Sequence, residues 1–218
     1  MRDALVSART QVINTVRGWM RGRAVRIRPG HAETFHRRVR EAAPAAPPHV
    51  LRQLEVIAAL TASIGEADKE VDSAAKSDPV CRLMMTVPGV GPVTSVRFVS
   101  TLDRIDRFPS AHHVQAYLGL TPGESSSGER QLRTGITKAG APAMRWTLVQ
   151  CAWSLRRIRH DDPMSIWSRE VEKRRGKRVA VTALARKLAG VLYAIWRDGK
   201  PNGSIAARPS ARAGPDGA

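Results

Sequence analysis

The chain has 218 residues, 42% of them hydrophobic, and its 36 Lys and Arg residues against 19 Asp and Glu residues give a net charge of +17. This excess favours a polyanionic partner, nucleic acid first, because binding a polyanion relieves self-repulsion and releases counterions. Neither a signal peptide nor an apolar run of about 18 residues is visible, which excludes a membrane-spanning class. We therefore expect a cytoplasmic, nucleoid-associated protein without a membrane partner.

Two long helices are predicted before position 79. Residues 3–20 carry apolar side chains at helical spacing, and an arginine-rich stretch from Arg21 to Arg40 follows. In residues 49–77, apolar side chains recur in steps of four and three from Val50, which resembles the seam of a coiled coil. An ordinary amphipathic helix packed within its own domain fits this pattern equally well. A homo-oligomer formed through the seam is thus one expectation.

The rest of the chain is predicted to be mainly helical as well, so the expected fold class is mainly α. Further helices are expected over 79–86, 92–102, 110–117, 142–159, 163–173 and 179–196, with short strands conceivable near 131–137. The sequence therefore predicts a helical, coiled-coil-like region over 1–78, a compact helical domain over 79–197 and a disordered tail over 198–218. The two cysteines, Cys81 and Cys151, lie far apart in apolar helical contexts and are expected to be buried free thiols rather than zinc ligands.

The turn Pro88-Gly89-Val90-Gly91 joins two predicted helices and has the pattern of a helix–hairpin–helix. Glycines at Gly89 and Gly91 permit a tight turn, so amides at the start of the second helix can bind a DNA phosphate without reading sequence. Thr94 and Ser95 are expected to add hydroxyl donors. The alternative is a tight connection between helices that binds no ligand.

A second candidate site follows at Ser125-Ser126-Ser127-Gly128, with cationic residues close behind it. Serine hydroxyls surrounded by positive charge suit a phosphate, and one hydroxyl could attack it. The predicted cations of this DNA-binding site are Arg130, Arg133, Lys138 and Arg145. A flexible surface loop is the simplest alternative, and the sequence has no nucleophile elbow or triad of a serine hydrolase. The basic run KRRGKR at 173–178 is by default a solvated surface, although phosphate contact is a credible second interpretation.

Four segments within residues 84–157, taken in order, carry a family resemblance: VPGVGPVTS, RFPSAHHVQAYLGLTP, SSSG and GITKAGAPAMRWTLVQCA. Their order and spacing resemble the C-terminal part of the DEDD-type insertion-sequence transposases, the insertion sequence 110/116/902 group. The N-terminal segment LVSARTQVINTVRGWMRG is similar to the helix that precedes the linker coiled coil of this family.

The resemblance implies a recombinase that cuts and rejoins double-stranded DNA. It places the nucleophilic serine at Ser127, with Ser126 as the neighbouring alternative, and it implies a covalent link to a DNA end of either polarity. A structured guide RNA is an implied partner. In the family, an N-terminal RuvC-like domain supplies four acidic residues that bind Mg²⁺, and this sequence shows no matching motif. We therefore expect no cofactor in this chain, Mg²⁺ supplied by the missing acidic domain, and DNA binding without recombination by the chain alone.

Two other functions fit the same residues. One is a non-catalytic helix–hairpin–helix module that binds DNA, and the other is a basic RNA-binding protein with a scaffold role. A covalent DNA adduct that depends on Ser127 would separate the recombinase from both.

Overall fold

The computed structural model describes residues 1–127 and 130–202, and it describes side chains for all of these except 124–134. Its helices are α1 (Arg2–Gly22), α2 (Phe35–Ala42), α3 (Pro48–Ser77), α4 (Pro79–Met84), α5 (Pro92–Leu102), α6 (Ala111–Tyr117), α7 (Pro142–Ile158), α8 (Pro163–Arg175) and α9 (Lys177–Asp198). Short 3₁₀ turns lie at Ala32–Thr34 and Ile105–Arg107, and the strands β1 (Pro122–Ser127) and β2 (Arg130–Ile136) form a hairpin. The predicted mainly α class is confirmed.

The chain divides into two compact units, Met1–Asp72 and Ser73–Ala218, called unit 1 and unit 2 below. This division lies within α3, whereas the predicted limit at residue 78 lies between α3 and α4, where Asp78 caps α4 by accepting a hydrogen bond from the Cys81 amide at 2.9 Å. Most of the predicted tail, 203–218, lies outside the described residues.

Unit 1 packs α1, α2 and the first half of α3 around one core. Its fully buried members come from all three helices: Val16 from α1, Phe35 and Val39 from α2, and Leu54 and Ile57 from α3. Leu54, Ile57 and the equally buried Val50 are the first apolar positions of the predicted seam. They pack inside unit 1, as expected for an ordinary amphipathic helix, and are not available to a second chain. The coiled-coil interpretation is wrong for these positions, and homo-oligomerisation stays a prediction.

Unit 2 is a helical bundle built around α9. Leu184, Leu188 and Leu192 recur on one face of α9 and have no exposed surface, and α4, α6, α7 and α8 pack around this helix. By length and composition α9 also qualifies as a candidate membrane span, but half of its apolar window is buried within the protein. Tyr193 of α9 donates a hydrogen bond from its buried hydroxyl to the Phe108 carbonyl at 2.9 Å, which ties the helix to the segment before α6.

The serine segment lies in a β-hairpin between α6 and α7. Strand β1 is antiparallel to β2, and the pairing sets Ser127 opposite Arg130 and Ser126 opposite Gln131. Glu124 to Ser127 are each paired with β2, so this part of the serine segment is a strand rather than an irregular loop, and the pairing is irregular between Pro122 and Glu124. Residues 128 and 129, which join the strands, lie outside the described part of the chain.

Candidate nucleic-acid interface

The base of the hairpin is fixed by a close crossing of its two limbs. Gly119 has φ +66°, and a Cβ there would lie 2.2 Å from the Ala139 carbonyl oxygen. Gly140 has φ +72°, and a Cβ there would lie 1.9 Å from the Tyr117 carbonyl oxygen. Both positions therefore require glycine, for conformation and for space. Beyond this crossing, the Lys138 amide donates to the Gly119 carbonyl at 3.1 Å.

Arg145, a predicted DNA-binding residue, fastens this crossing to α7. Its Nη1 donates to the Leu118 carbonyl at 3.2 Å, to the Gly140 carbonyl at 3.1 Å and to the Ala139 carbonyl. These carbonyls come from both limbs of the hairpin, and the side chain is only half-exposed. Arg145 therefore acts first as a structural residue. Lys138, by contrast, is exposed at the end of the hairpin with φ +58°.

The other predicted residues of this site lie on the strands themselves. Ser126 and Ser127 are the last two residues of β1, and Arg130 and Arg133 belong to β2. Their side chains fall among those that the structure does not describe, so their roles stay predictions. Along β1, Ser127 is about 17 Å from Pro122, at roughly 3.3 Å per residue.

A cationic cleft of about 580 Å³ lies between the base of the hairpin and the beginning of α9. Arg175, Arg178 and Arg186 line one side of it, while its apolar walls come from the hairpin base and α9: Leu120, Pro122, Ile136, Val179 and Ala183. None of the described residues that line this cleft is acidic. We call it the hairpin cleft. Three guanidinium groups without a carboxylate among them favour the binding of an anion with several charges.

The structure holds Arg186 in place and leaves the other two arginines of the hairpin cleft exposed. Arg186 Nε donates to the Gln115 side-chain oxygen at 2.8 Å, and the Gln115 amide nitrogen donates back to the Arg186 carbonyl at 3.1 Å. Arg175 and Arg178 lie on either side of Gly176, whose φ of +80° allows the turn between α8 and α9. The basic run 173–178 had indicated two of these residues, but Arg186 lies with Lys187 in the apolar middle of α9 and was not among the predicted site residues.

The turn before α5 is packed inward more than the helix–hairpin–helix pattern predicts. Gly89 has φ +85°, and a Cβ there would lie 3.0 Å from the Cys151 carbonyl oxygen of α7. Ser95 is fully buried and donates to the Pro92 carbonyl at 3.0 Å, while the Thr94 hydroxyl, 7% exposed, contacts Cys151 Sγ at 3.2 Å. Both hydroxyls therefore point into unit 2, where a DNA phosphate does not reach them. Their predicted role as donors to DNA does not fit this conformation.

Gly91 is the residue of this turn that remains compatible with phosphate binding. It is the N-cap of α5, it is half-exposed, and a Cβ there would meet no atom within 4 Å. Pro92 has no N–H, and the Thr94 and Ser95 amides each donate to the Gly91 carbonyl at 3.0 Å, so the Val93 amide is the donor that the first turn of α5 can offer to an anion. Binding of DNA by this turn stays a prediction.

The cysteines of unit 2 are buried free thiols, as expected. Burial raises the pKa of both Cys81 and Cys151, so they stay protonated and unreactive near neutral pH. Within the described residues, no group of three or more His, Cys, Asp or Glu side chains could hold a metal ion.

Comparison with known proteins finds a match in the central part of the chain. Residues 81–165 are similar to the family described as "Transposase IS116/IS110/IS902 family". The matched segment begins in α4, contains the hairpin and ends in α8. It stops before the arginines of the hairpin cleft.

Curated relatives extend the similarity over most of the chain. The transposase for insertion sequence element IS1111A of Coxiella burnetii is 29% identical over 207 residues, which are 89% of this chain and 56% of the relative. A probable family 20 transposase of Pseudomonas aeruginosa is 28% identical over 89% of this chain and 61% of its own length. A putative transposase of Sinorhizobium fredii, y4qE, is 35% identical over 56% of this chain and 37% of its own length. The chain thus spans little more than half the length of the first of these relatives.

Proposed function

We propose that this chain is the serine-bearing part of a transposase that cleaves and rejoins double-stranded DNA, with Ser127 as nucleophile and Ser126 as the neighbouring alternative. The observation that supports it best is the hairpin cleft. A cationic cleft lies at the base of the hairpin whose first strand ends at Ser127, and this hairpin lies within the segment that is similar to a transposase family. The names of the relatives agree with this function.

The geometry suggests how a DNA strand would be held. A strand whose phosphates contact Arg175 and Arg178 in the hairpin cleft would run along the hairpin toward Ser127. The distance of about 17 Å along β1 corresponds to about five nucleotides, at roughly 3.4 Å per nucleotide. The cleft would therefore bind the strand a few nucleotides from the phosphate that reacts. Its arginines act on the backbone and carry no sequence information.

The reaction at Ser127 would be a transesterification. The hydroxyl oxygen of Ser127 attacks phosphorus, the bond from phosphorus to one deoxyribose oxygen breaks, and that oxygen leaves with a proton. A protein–DNA phosphodiester results, and attack by a DNA hydroxyl reverses the process during rejoining. Arg130, Arg133 and Lys138 would neutralise charge that develops on the phosphate oxygens.

Mg²⁺ does not fit the described residues, because they contain no suitable cluster of ligands. We propose that the acidic residues that hold Mg²⁺ in this family act from a separate acidic domain, and that the chain alone binds DNA without recombining it. We further propose a structured guide RNA as a second partner. Strand transfer by the purified chain with Mg²⁺ would contradict the first of these statements.

The test of the nucleophile is a covalent adduct. The chain is mixed with end-labelled duplex DNA and Mg²⁺, with and without the N-terminal part of the Coxiella burnetii relative, and adducts are resolved on a denaturing gel. We expect an adduct in the presence of that part, its loss in Ser127→Ala, and its retention in Ser125→Ala. If DNA affinity is normal and no adduct forms with any variant under either condition, the non-catalytic helix–hairpin–helix module is the better description.

The test of the hairpin cleft is DNA affinity at several salt concentrations. Arg175→Gln with Arg178→Gln removes two cleft cations, and Arg157→Gln with Arg174→Gln removes two exposed arginines of unit 2 that do not line the cleft. Each lost phosphate contact lowers the slope of log Kd against log salt by about 0.9 for duplex DNA. We expect the cleft variant to lose nearly two units of slope and the control variant much less. Equal losses would show that only net charge matters.

A further inference from the structure

Unit 1 contains a second cationic cleft, which lies outside the segment that matches the transposase family. Its volume is about 590 Å³, and five arginines line it: Arg17, Arg21, Arg26, Arg28 and Arg38. Apolar residues form its floor, namely Met20, Val25, Ile27 and Pro29, and no acidic residue is among the described residues that line it. We call it the arginine cleft.

The positive charge of the arginine cleft is not neutralised within unit 1. The ion pairs seen between described residues of this unit use other cations, namely Arg2, Arg9, Arg40 and Lys69. Arg17, Arg21, Arg26 and Arg28 are all exposed. Guanidinium groups gathered in one cleft repel each other, so an anion that spans them gains energy from all of them at once.

The loop that carries two of these arginines is held in a defined conformation. Arg38 Nη2 donates to the His31 carbonyl at 2.8 Å, and Nη1 donates to the Arg28 carbonyl. The loop passes so close to this guanidinium that a Cβ at Gly30 would lie 2.9 Å from Arg38 Cζ. Arg38 is therefore a positioning residue, which fixes the backbone of Arg28 beside α1. A preformed arrangement of cations loses little entropy on binding.

We propose that the arginine cleft binds the phosphodiester backbone of a nucleic-acid strand. Arg17 and Arg21 lie four residues apart on α1, about 6 Å along the helix axis, so they can contact neighbouring phosphates of one strand. Arg26 and Arg28 extend the row of cations from the helix into the loop. The chemistry is shared by DNA and RNA, because arginine side chains that contact phosphates read the backbone and not the bases. This site is separate from the hairpin and does not depend on the reaction proposed for Ser127.

The experiment compares two triple variants of the full chain that lose the same charge. The cleft variant carries Arg21→Gln, Arg26→Gln and Arg28→Gln. The control variant replaces three exposed cations of unit 1 that do not line the cleft: Arg37→Gln, Arg52→Gln and Lys69→Gln. Fluorescence anisotropy measures the Kd for 25-nucleotide single-stranded RNA, single-stranded DNA and duplex DNA between 0.05 and 0.3 M salt (about 0.15 M as the reference).

For at least one of the three nucleic acids, we expect the cleft variant to bind about 10- to 100-fold more weakly at the reference salt, with a salt slope smaller by about 2 to 3. The control variant should stay within about threefold of the parent chain. The nucleic acid for which the cleft variant loses the most affinity is identified as the ligand of the arginine cleft. Equal losses in both variants, or no loss in either, would overturn the proposal.

Two further measurements keep the result interpretable. Circular dichroism and thermal unfolding show whether the triple cleft variant is folded. If it is not, the double variant Arg26→Gln with Arg28→Gln, which changes only loop positions, is used in its place. Its expected slope change is about 2.

Discussion

The crossing at the base of the hairpin gives a prediction whose size follows from the structure. In Gly140→Ala the new Cβ would lie 1.9 Å from the Tyr117 carbonyl oxygen, far inside van der Waals contact, and the backbone would keep a φ of +72°. The left-handed conformation costs about 1 kcal/mol for a residue with a Cβ. The overlap must move backbone, which costs about 1 to 3 kcal/mol more. The expected loss is therefore about 2 to 4 kcal/mol of local stability.

Two other glycines of unit 2 separate these contributions. Gly176→Ala meets no atom within 4 Å, but its φ of +80° with ψ of 163° is a conformation almost confined to glycine, so it should cost about 1 to 3 kcal/mol. Gly91→Ala has neither problem, and its effect should be close to zero. In this series Gly91→Ala has neither penalty, Gly176→Ala has only the conformational penalty, and Gly140→Ala has both the conformational and the steric penalty.

Hydrogen exchange is the direct assay, because the hairpin can open without global unfolding. The amides of Thr137 and Lys138 bond to the Thr121 and Gly119 carbonyls, at 2.9 and 3.1 Å, and report on the crossing. In Gly140→Ala their exchange should accelerate by a factor of about 30 or more, with weaker duplex binding as a consequence. If these amides exchange no faster in Gly140→Ala than in Gly176→Ala, the argument from the crossing is wrong.

Three more predictions concern residues away from the crossing. Thr94→Val should leave DNA affinity unchanged in a titration, because its hydroxyl is buried inside unit 2; a marked loss of affinity would restore its predicted role as a donor. Tyr193→Phe removes the buried hydrogen bond to Phe108 and should cost about 1 to 3 kcal/mol in urea unfolding, since the carbonyl is left unsatisfied. The pKa of Glu33 is lowered, first by a backbone hydrogen bond and then by the charge of Arg9. Its ionised form therefore stabilises unit 1 above the ordinary glutamate pKa, and this contribution is lost as the pH falls below about 4.5. Glu33→Gln should flatten the acid limb of a stability–pH curve, and an unchanged limb would exclude this role.

The helices of the protein were largely predictable from the sequence, because they carry local signals. Pro92 at the first turn and the apolar period after it predicted the bounds of α5, 92–102, which the structure confirms. The core of unit 2 was also indicated by the apolar face of the last long helix. The spacing of apolar residues along the chain is sufficient to predict these helices, because the backbone hydrogen bonds of a helix join residues that are close in sequence.

The hairpin and the burial of the turn hydroxyls were not predictable in this way. PGESSS contains residue types that are rare in strands, and it becomes β1 only because β2 pairs with it. The hydroxyls of Thr94 and Ser95 resemble surface groups in a sequence, yet the close approach of Gly89 to α7 places them inside. The apolar seam that begins at Val50 was ambiguous for another reason. The same spacing of apolar residues suits a helix that packs within its own chain and a helix that packs against a second chain. Contacts distant in sequence decide all three cases.

The three hydrogen bonds of Arg145 have a consequence for anyone who maps DNA contacts by mutagenesis. An alanine at this position would lower the affinity for DNA, and a scan of basic residues would score it as a lost phosphate contact. The hydrogen bonds from its Nη1 to the Leu118, Ala139 and Gly140 carbonyls indicate a different cause for the lower affinity. Without them, the base of the hairpin would no longer be attached to α7. The salt dependence of binding tells the two apart, since an anchoring residue can be removed without changing the number of counterions released.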